Sequence, residues 1–78
     1  MRGLIAARQF YAKALDQGVS LAALKLGQTY DPAVFADKNV QGPKPDPAMA
    51  MKYYLQAKVS GVDDAQKSIN SLEAWMQR

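Results

Sequence analysis

Six residues of this chain recur at one fixed interval. Ala7, Phe10, Tyr11, Ala14, Gly18 and Ala22 are each matched 43 positions later, by Ala50, Tyr53, Tyr54, Ala57, Gly61 and Ala65. Self-similarity at such a period marks stacked units, each burying one face only by leaning on its neighbour. Within a unit the spacing is helical: Ala7, Phe10, Tyr11 and Ala14 fall at i, i+3, i+4 and i+7, one face of a 3.6-residue helix. Nothing alternates with a period of two, so strands are not expected. The pattern predicts an all-α fold, an α/α solenoid of two helix-turn-helix hairpins in one domain.

Boundary signals divide that domain into a first repeat over about 2–30, a long linker loop over 31–45 and a second repeat over about 46–77. Gly18 ends the first helix, near residue 16, by taking a left-handed position that a Cβ would penalise. Ser20 is expected to cap the second helix, about 21–30, with Leu21, Ala22, Leu24 and Leu26 on its apolar side. Gly27 lies inside that helix, where it costs about 1 kcal/mol relative to alanine; bare backbone there lets another helix approach closely. Asp31-Pro32 reads as a cap followed by a first-turn proline, with one short helical turn over 32–37. Gly42-Pro43-Lys44-Pro45 cannot continue a helix. Asp46-Pro47 starts the third long helix, 47–60, and Gly61 closes it. Asp63 is expected to cap the fourth, whose stripe is Ala65, Ile69, Leu72 and Met76.

Composition narrows the chemistry. The 78 residues include no cysteine and no histidine. Disulfides and thiolate metal sites are therefore excluded, along with the commonest general base and metal ligand. No apolar run approaches the roughly 18–20 residues needed to cross a bilayer. The formal charge is +3, yet the ten basic residues form no run and seven acids interleave with them. A nucleic-acid footprint is normally a stripe or cluster, so nucleic acid is not an expected partner. The composition does not choose between a cytoplasmic and a periplasmic compartment. Two units are fewer than the three or so that usually give a stable array, so a segment of a longer array is expected.

With these residues placed, the chain resembles the Sel-one-like repeat family, relatives of tetratricopeptide repeats. The resemblance is carried by Ala7, Phe10-Tyr11, Ala14, Gly18, Ala22, Leu26-Gly27 and Tyr30, and continues through Asp46, Ala50, Tyr53-Tyr54, Ala57, Gly61, Ala65 and Ile69. It departs from the family in the longer 31–45 segment and in having Asn70 for Gly and Glu73 for Tyr. The second unit, ending soon after Trp75, looks like a capping unit. The resemblance implies a tetratricopeptide-like right-handed superhelix segment that serves protein–protein contacts, with no catalytic residue and no cofactor to carry over.

The aromatic pairs Phe10-Tyr11 and Tyr53-Tyr54 fall on the apolar stripe and are expected in the core rather than on a stacking surface. In related solenoids the first helix of each hairpin lines a concave face where peptides lie. The positions off the core stripe there, matched by repeat, are Gln9 with Lys52 and Lys13 with Gln56, with Arg8 nearby. Two lysines and two amides can hold an acidic or extended peptide, provided all four are exposed. Phe35 is expected to fold back over an open end of the stack, beside Val34 and Val40 in the same long segment. Asp63-Asp64 is better explained by a helix N-terminus than by chemistry. Trp75 reads equally as an anchor or as a lid on the last hairpin.

The function expected is a non-catalytic protein–protein interaction module within a larger scaffold or adaptor. The alternative is a purely structural segment that self-associates or stacks, with nucleic-acid binding a distant third. No enzyme is expected, because no nucleophile–base constellation is present.

Overall fold

The computed structural model describes residues 2–38 and 44–77, and every regular element among them is helical. In chain order the helices are α1 (Arg2–Asp16), α2 (Leu21–Gln28), α3 (Pro32–Lys38), α4 (Pro47–Val59) and α5 (Asp64–Met76). Four residues join α1 to α2, and four join α4 to α5. Each of these pairs packs together, so each runs antiparallel. α2 packs on both α1 and α4. The backbone N–H of Asp46 donates to Tyr30 O at 2.8 Å, so the C-terminal end of α2 meets the N-terminal end of α4. The molecule is only 17 Å thick along its shortest axis, room for two layers of helices at ordinary spacing.

The two short turns are built alike. Gly18 and Gly61 take φ of 90° and 92°. At the first turn Gly18 N–H donates to Leu15 O at 2.9 Å and Val19 N–H to Ala14 O at 3.1 Å; at the second, Gly61 N–H donates to Lys58 O and Val62 N–H to Ala57 O, both at 3.0 Å. These are the paired bonds of a Schellman ending, which satisfies carbonyls the helix leaves free. Both bonds of the first turn's ending have their counterparts 43 residues away in the second.

The caps expected at Ser20 and Asp63 are not made. Both residues have helical backbone, φ −60° and ψ −37°, and neither side chain accepts a cap bond. Turn carbonyls take the free N–H groups instead: Val19 O and Ser20 O at the first turn, Val62 O and Asp63 O at the second. Asp46 does cap α4, accepting from Met49 N–H at 3.2 Å from an extended backbone, with Pro47 in the first turn. The second helix is shorter than expected and stops at Gln28.

The short helix expected over 32–37 forms over Pro32–Lys38. Asp31 Oδ1 accepts from Ala33 N–H at 2.8 Å and Asp31 O from Phe35 N–H at 3.0 Å, which starts the seven-residue α3. α3 packs on α5. Phe35 is buried, and it shares an apolar cleft with Leu4, Ala7 and Tyr11 at one end of the molecule. Val40 lies outside the described residues, as do Gly42 and Pro43 of the proline-containing run.

The core is centred on Tyr54, walled by Ala23, Ala50, Ala57, Ala65 and Leu72, all fully buried. Alanine at these contacts lets the helices close around one ring. Gly27 completes the fit: a Cβ there would stand 2.6 Å from Tyr54 Cδ1 and Cε1, closer than real contacts allow, and a tight 3.2 Å from Ala50 O. The sequence places all four paired aromatics in this core, and the structure corrects that. Tyr54 is enclosed, Tyr11 and Tyr53 are half-buried, and Phe10 is 63% exposed. Tyr53 is shielded by Tyr30, stacked on it at 6.1 Å. Phe10 meets Tyr11 in an edge-type arrangement, ring centroids 5.5 Å apart. Leu21 and Met76, expected on the apolar stripes, are likewise exposed.

Candidate functional site

α1 and α4 stand on either side of a groove of about 480 Å³. Lys13, Ala12 and Asp16 form one wall, Tyr53 and Gln56 the other, and the buried Leu26 of α2 lies at its base. The helical period sets this arrangement: residues three and four apart on α1, and three apart on α4, face the same way.

Gln9, Lys13, Lys52 and Gln56 are all exposed. Lys13 and Gln56 line the groove from opposite walls, which brings together two of the four. Lys52 stands at its edge, with Nζ 5.5 Å from the Tyr53 ring centroid. Gln9 is on α1 but not among the lining residues.

Arg8 is half-buried and engaged within the fold. Its guanidinium donates to Thr29 O at 2.7 and 3.2 Å and to Lys44 O at 3.3 Å. It also lies 3.9 Å above the Tyr30 ring. Thr29 caps the C-terminus of α2, where free carbonyls and the helix dipole favour a cation. Arg8 therefore ties α1 to the end of α2 and to the start of the segment entering α4. Its contact with Tyr30 continues through Tyr53 to Lys52, so two cations flank a pair of stacked rings. Cation–π attraction contributes about 0.5–1 kcal/mol at exposed sites. Besides stabilising the fold, the ladder fixes the Tyr53 wall.

Sequence reading missed Asp16, Ala12 and Leu26 as parts of this groove. The 43-residue offset identifies Lys13 and Gln56 as equivalents, but neighbouring helices meet through non-equivalent faces. Locating the residues opposite Gln56 therefore requires the tilt between α1 and α4, which no spacing encodes.

A second concavity, about 380 Å³, lies between α3 and α5 and includes Asp31, Tyr54, Lys67, Ser68 and Ser71. Tyr54 Oη donates to Asp31 Oδ2 at 2.5 Å inside the core. Burial, then the hydrogen bond to the Asp31 carboxylate and its charge, push the Tyr54 phenol well above the usual tyrosine range, while a hydrogen bond from Ser68 opposes them. A phenol held this firmly neutral is no general base. With Asp31 also starting α3, the pair joins α2, α3 and α4. Among the described residues, no group of three or more His, Cys, Asp or Glu is placed to hold a metal ion. No helix among them is long and apolar enough to cross a membrane.

Comparison of the chain with protein-family models, with curated proteins and with solved structures returns no match. What the described residues define is an all-α molecule with an open groove between two of its long helices.

Proposed function

We propose that this chain is a non-catalytic protein–protein interaction module of the Sel-one-like, tetratricopeptide-like type, a solenoid segment of two equivalent hairpins, α1–α2 and α4–α5. The matching Schellman bonds of the two glycine turns support the equivalence. The long 31–45 segment is then an insertion between units, since the bond from Asp46 N–H to Tyr30 O closes its ends.

The observation that carries the interaction reading is the groove, with Lys13 and Gln56 on facing walls and Lys52 at its rim. The ligand is an extended peptide with acidic side chains. Carboxylates pair with Lys13 and Lys52, Gln56 bonds to the peptide backbone, and the half-buried Tyr53 ring in the wall offers an apolar contact. Asp16 sets the register, because it repels an acidic residue placed opposite it.

A displayed random-peptide library panned against the chain tests this. Acidic extended sequences should enrich on the unchanged chain and fail to enrich on the Gln9→Ala, Lys13→Ala, Lys52→Ala, Gln56→Ala variant. Enrichment of the same sequences by both, or none by either, rejects the groove as the binding site.

A further inference from the structure

Among the described residues no helix covers the outer face of α1 along Phe10 and Ala14, and the chain itself shows how such a face is covered. On α4 the equivalent face lies beneath α2, where Ala50, Tyr54 and Ala57 are fully buried and Tyr53 stacks on Tyr30. On α1 the matching residues are half-buried Ala7, Tyr11 and Ala14, with Phe10 63% exposed. An apolar furrow of about 190 Å³ runs between Phe10, Tyr11 and Ala14 of α1 and Val19, Leu21 and Lys25.

We infer that this face is a second interaction surface, which receives an antiparallel α-helix from a partner protein carrying the pattern small-x-x-x-Gly-x-x-aromatic-Asp. The inference rests on the equivalence of the two hairpins proposed above and not on the groove. The pattern is read from α2 and its exit, where Ala23, Gly27 and Tyr30 form one stripe against α4 and Asp31 follows. Each position has a physical reason. Only glycine leaves room for the tyrosine ring, as the 2.6 Å approach at Gly27 demonstrates. The aromatic covers Phe10 as Tyr30 covers Tyr53. The aspartate accepts from the Tyr11 hydroxyl as Asp31 accepts from Tyr54. Lys25 adds charge complementarity, because it occupies the place that Ser68 holds beside Tyr54 and it lines both clefts next to Tyr11.

A second copy of the chain does not supply this helix. The α2 stripe is already buried against its own α4. On α5 the three equivalent positions are Gln66, Asn70 and Glu73, all exposed, and Gln66 Nε2 donates to Asn70 Oδ1 at 2.9 Å. Asn70 therefore puts a side chain where the aromatic ring would have to enter.

The test is an NMR titration of the full chain with a stapled helical peptide copying residues 20–31, beside its Gly27→Asn form. Saturable shifts should centre on Ala7, Phe10, Tyr11 and Ala14. The Asn peptide should bind at least about tenfold more weakly, as loss of a central contact implies. Phe10→Ala, at a largely exposed position, should weaken binding without unfolding the chain. The four-residue groove variant should bind the peptide as the unchanged chain does. Shifts confined to α4, equal affinity of the two peptides, loss of binding in the groove variant, or no binding at all would overturn the inference. So would concentration-dependent shifts at α1 in the chain alone, which would make a second copy the occupant. Loss in the groove variant would leave the groove reading standing.

Discussion

One ring and one missing methyl group organise this molecule. Tyr54 is enclosed because position 27 has no Cβ, and its hydroxyl is satisfied because Asp31 follows four residues later. Gly27→Ala removes a helix-weakening residue, worth up to about 1 kcal/mol in its favour, but it drives a methyl group into the Tyr54 ring. Overpacking of this kind typically costs about 1–3 kcal/mol, and here backbone also blocks relief at Ala50 O. A net loss of stability in urea is expected; a gain would mean the two helices separate without cost. Tyr54→Phe leaves a buried carboxylate oxygen without its donor and should cost about 1–3 kcal/mol at neutral pH. Its pH dependence has a definite sign. The folded phenol titrates above the unfolded one, so the stability it contributes is complete below about pH 10, the unfolded value. That contribution falls as pH rises from there toward the folded value, by up to about 1.4 kcal/mol per pH unit. The advantage of the unchanged chain over Tyr54→Phe should therefore shrink as pH rises from about 10 to about 11.5. A constant difference in denaturation midpoint would show that burial does not hold the phenol neutral.

Elements differ in how much of them the amino acids announce. The glycine turns were legible because left-handed backbone is nearly a glycine preserve, and Gly18 and Gly61 both adopt it. Gly18→Ala and Gly61→Ala should each cost about 1–2 kcal/mol, and by similar amounts if the two turns are equivalent. Helix starts were harder to read. Ser20, Asp46 and Asp63 all have side chains suited to capping, yet only Asp46 has the extended backbone that aims its oxygen at a free N–H. Asp46→Ala should lose about 1 kcal/mol, whereas Ser20→Ala should stay within about 0.5 kcal/mol; thermal melts compare them directly. The span of α3, expected over 32–37, was legible to within one residue. Asp31 and Pro32 mark its start, but its support comes from α5 and from the cleft around Leu4 and Tyr11, distant contacts that local propensity does not contain. Phe10 was misplaced because periodicity says which residues share a face. It does not say whether a neighbour arrives to cover it.

At the scale of the whole molecule the two ends are chemically unlike, and the 43-residue offset turns that difference into an experiment. The α1 end offers Phe10, Tyr11 and Ala14. The α5 end offers Gln66, Asn70 and Glu73 at the positions where α2 has Ala23, Gly27 and Tyr30. On the proposed equivalence of the hairpins, these exposed polar side chains stand where an incoming ring would have to enter, and so disfavour a head-to-tail contact of the kind that propagates without closing. Replacing them together, Gln66→Ala, Asn70→Gly and Glu73→Tyr, copies the α2 stripe onto α5 at solvent-facing sites. The glycine costs the helix up to about 1 kcal/mol, and the alanine returns part of that, so the chain should remain folded by circular dichroism. Tyr11 of one molecule can then enter the notch over position 70 of the next. Sedimentation velocity should show species that grow with concentration, well beyond any formed by the unchanged chain, and adding Tyr11→Ala should reverse the growth. A folded triple variant that sediments like the unchanged chain would mean that the notch is not sufficient to capture the ring, and the equivalence between the α2 and α5 faces would fail with it.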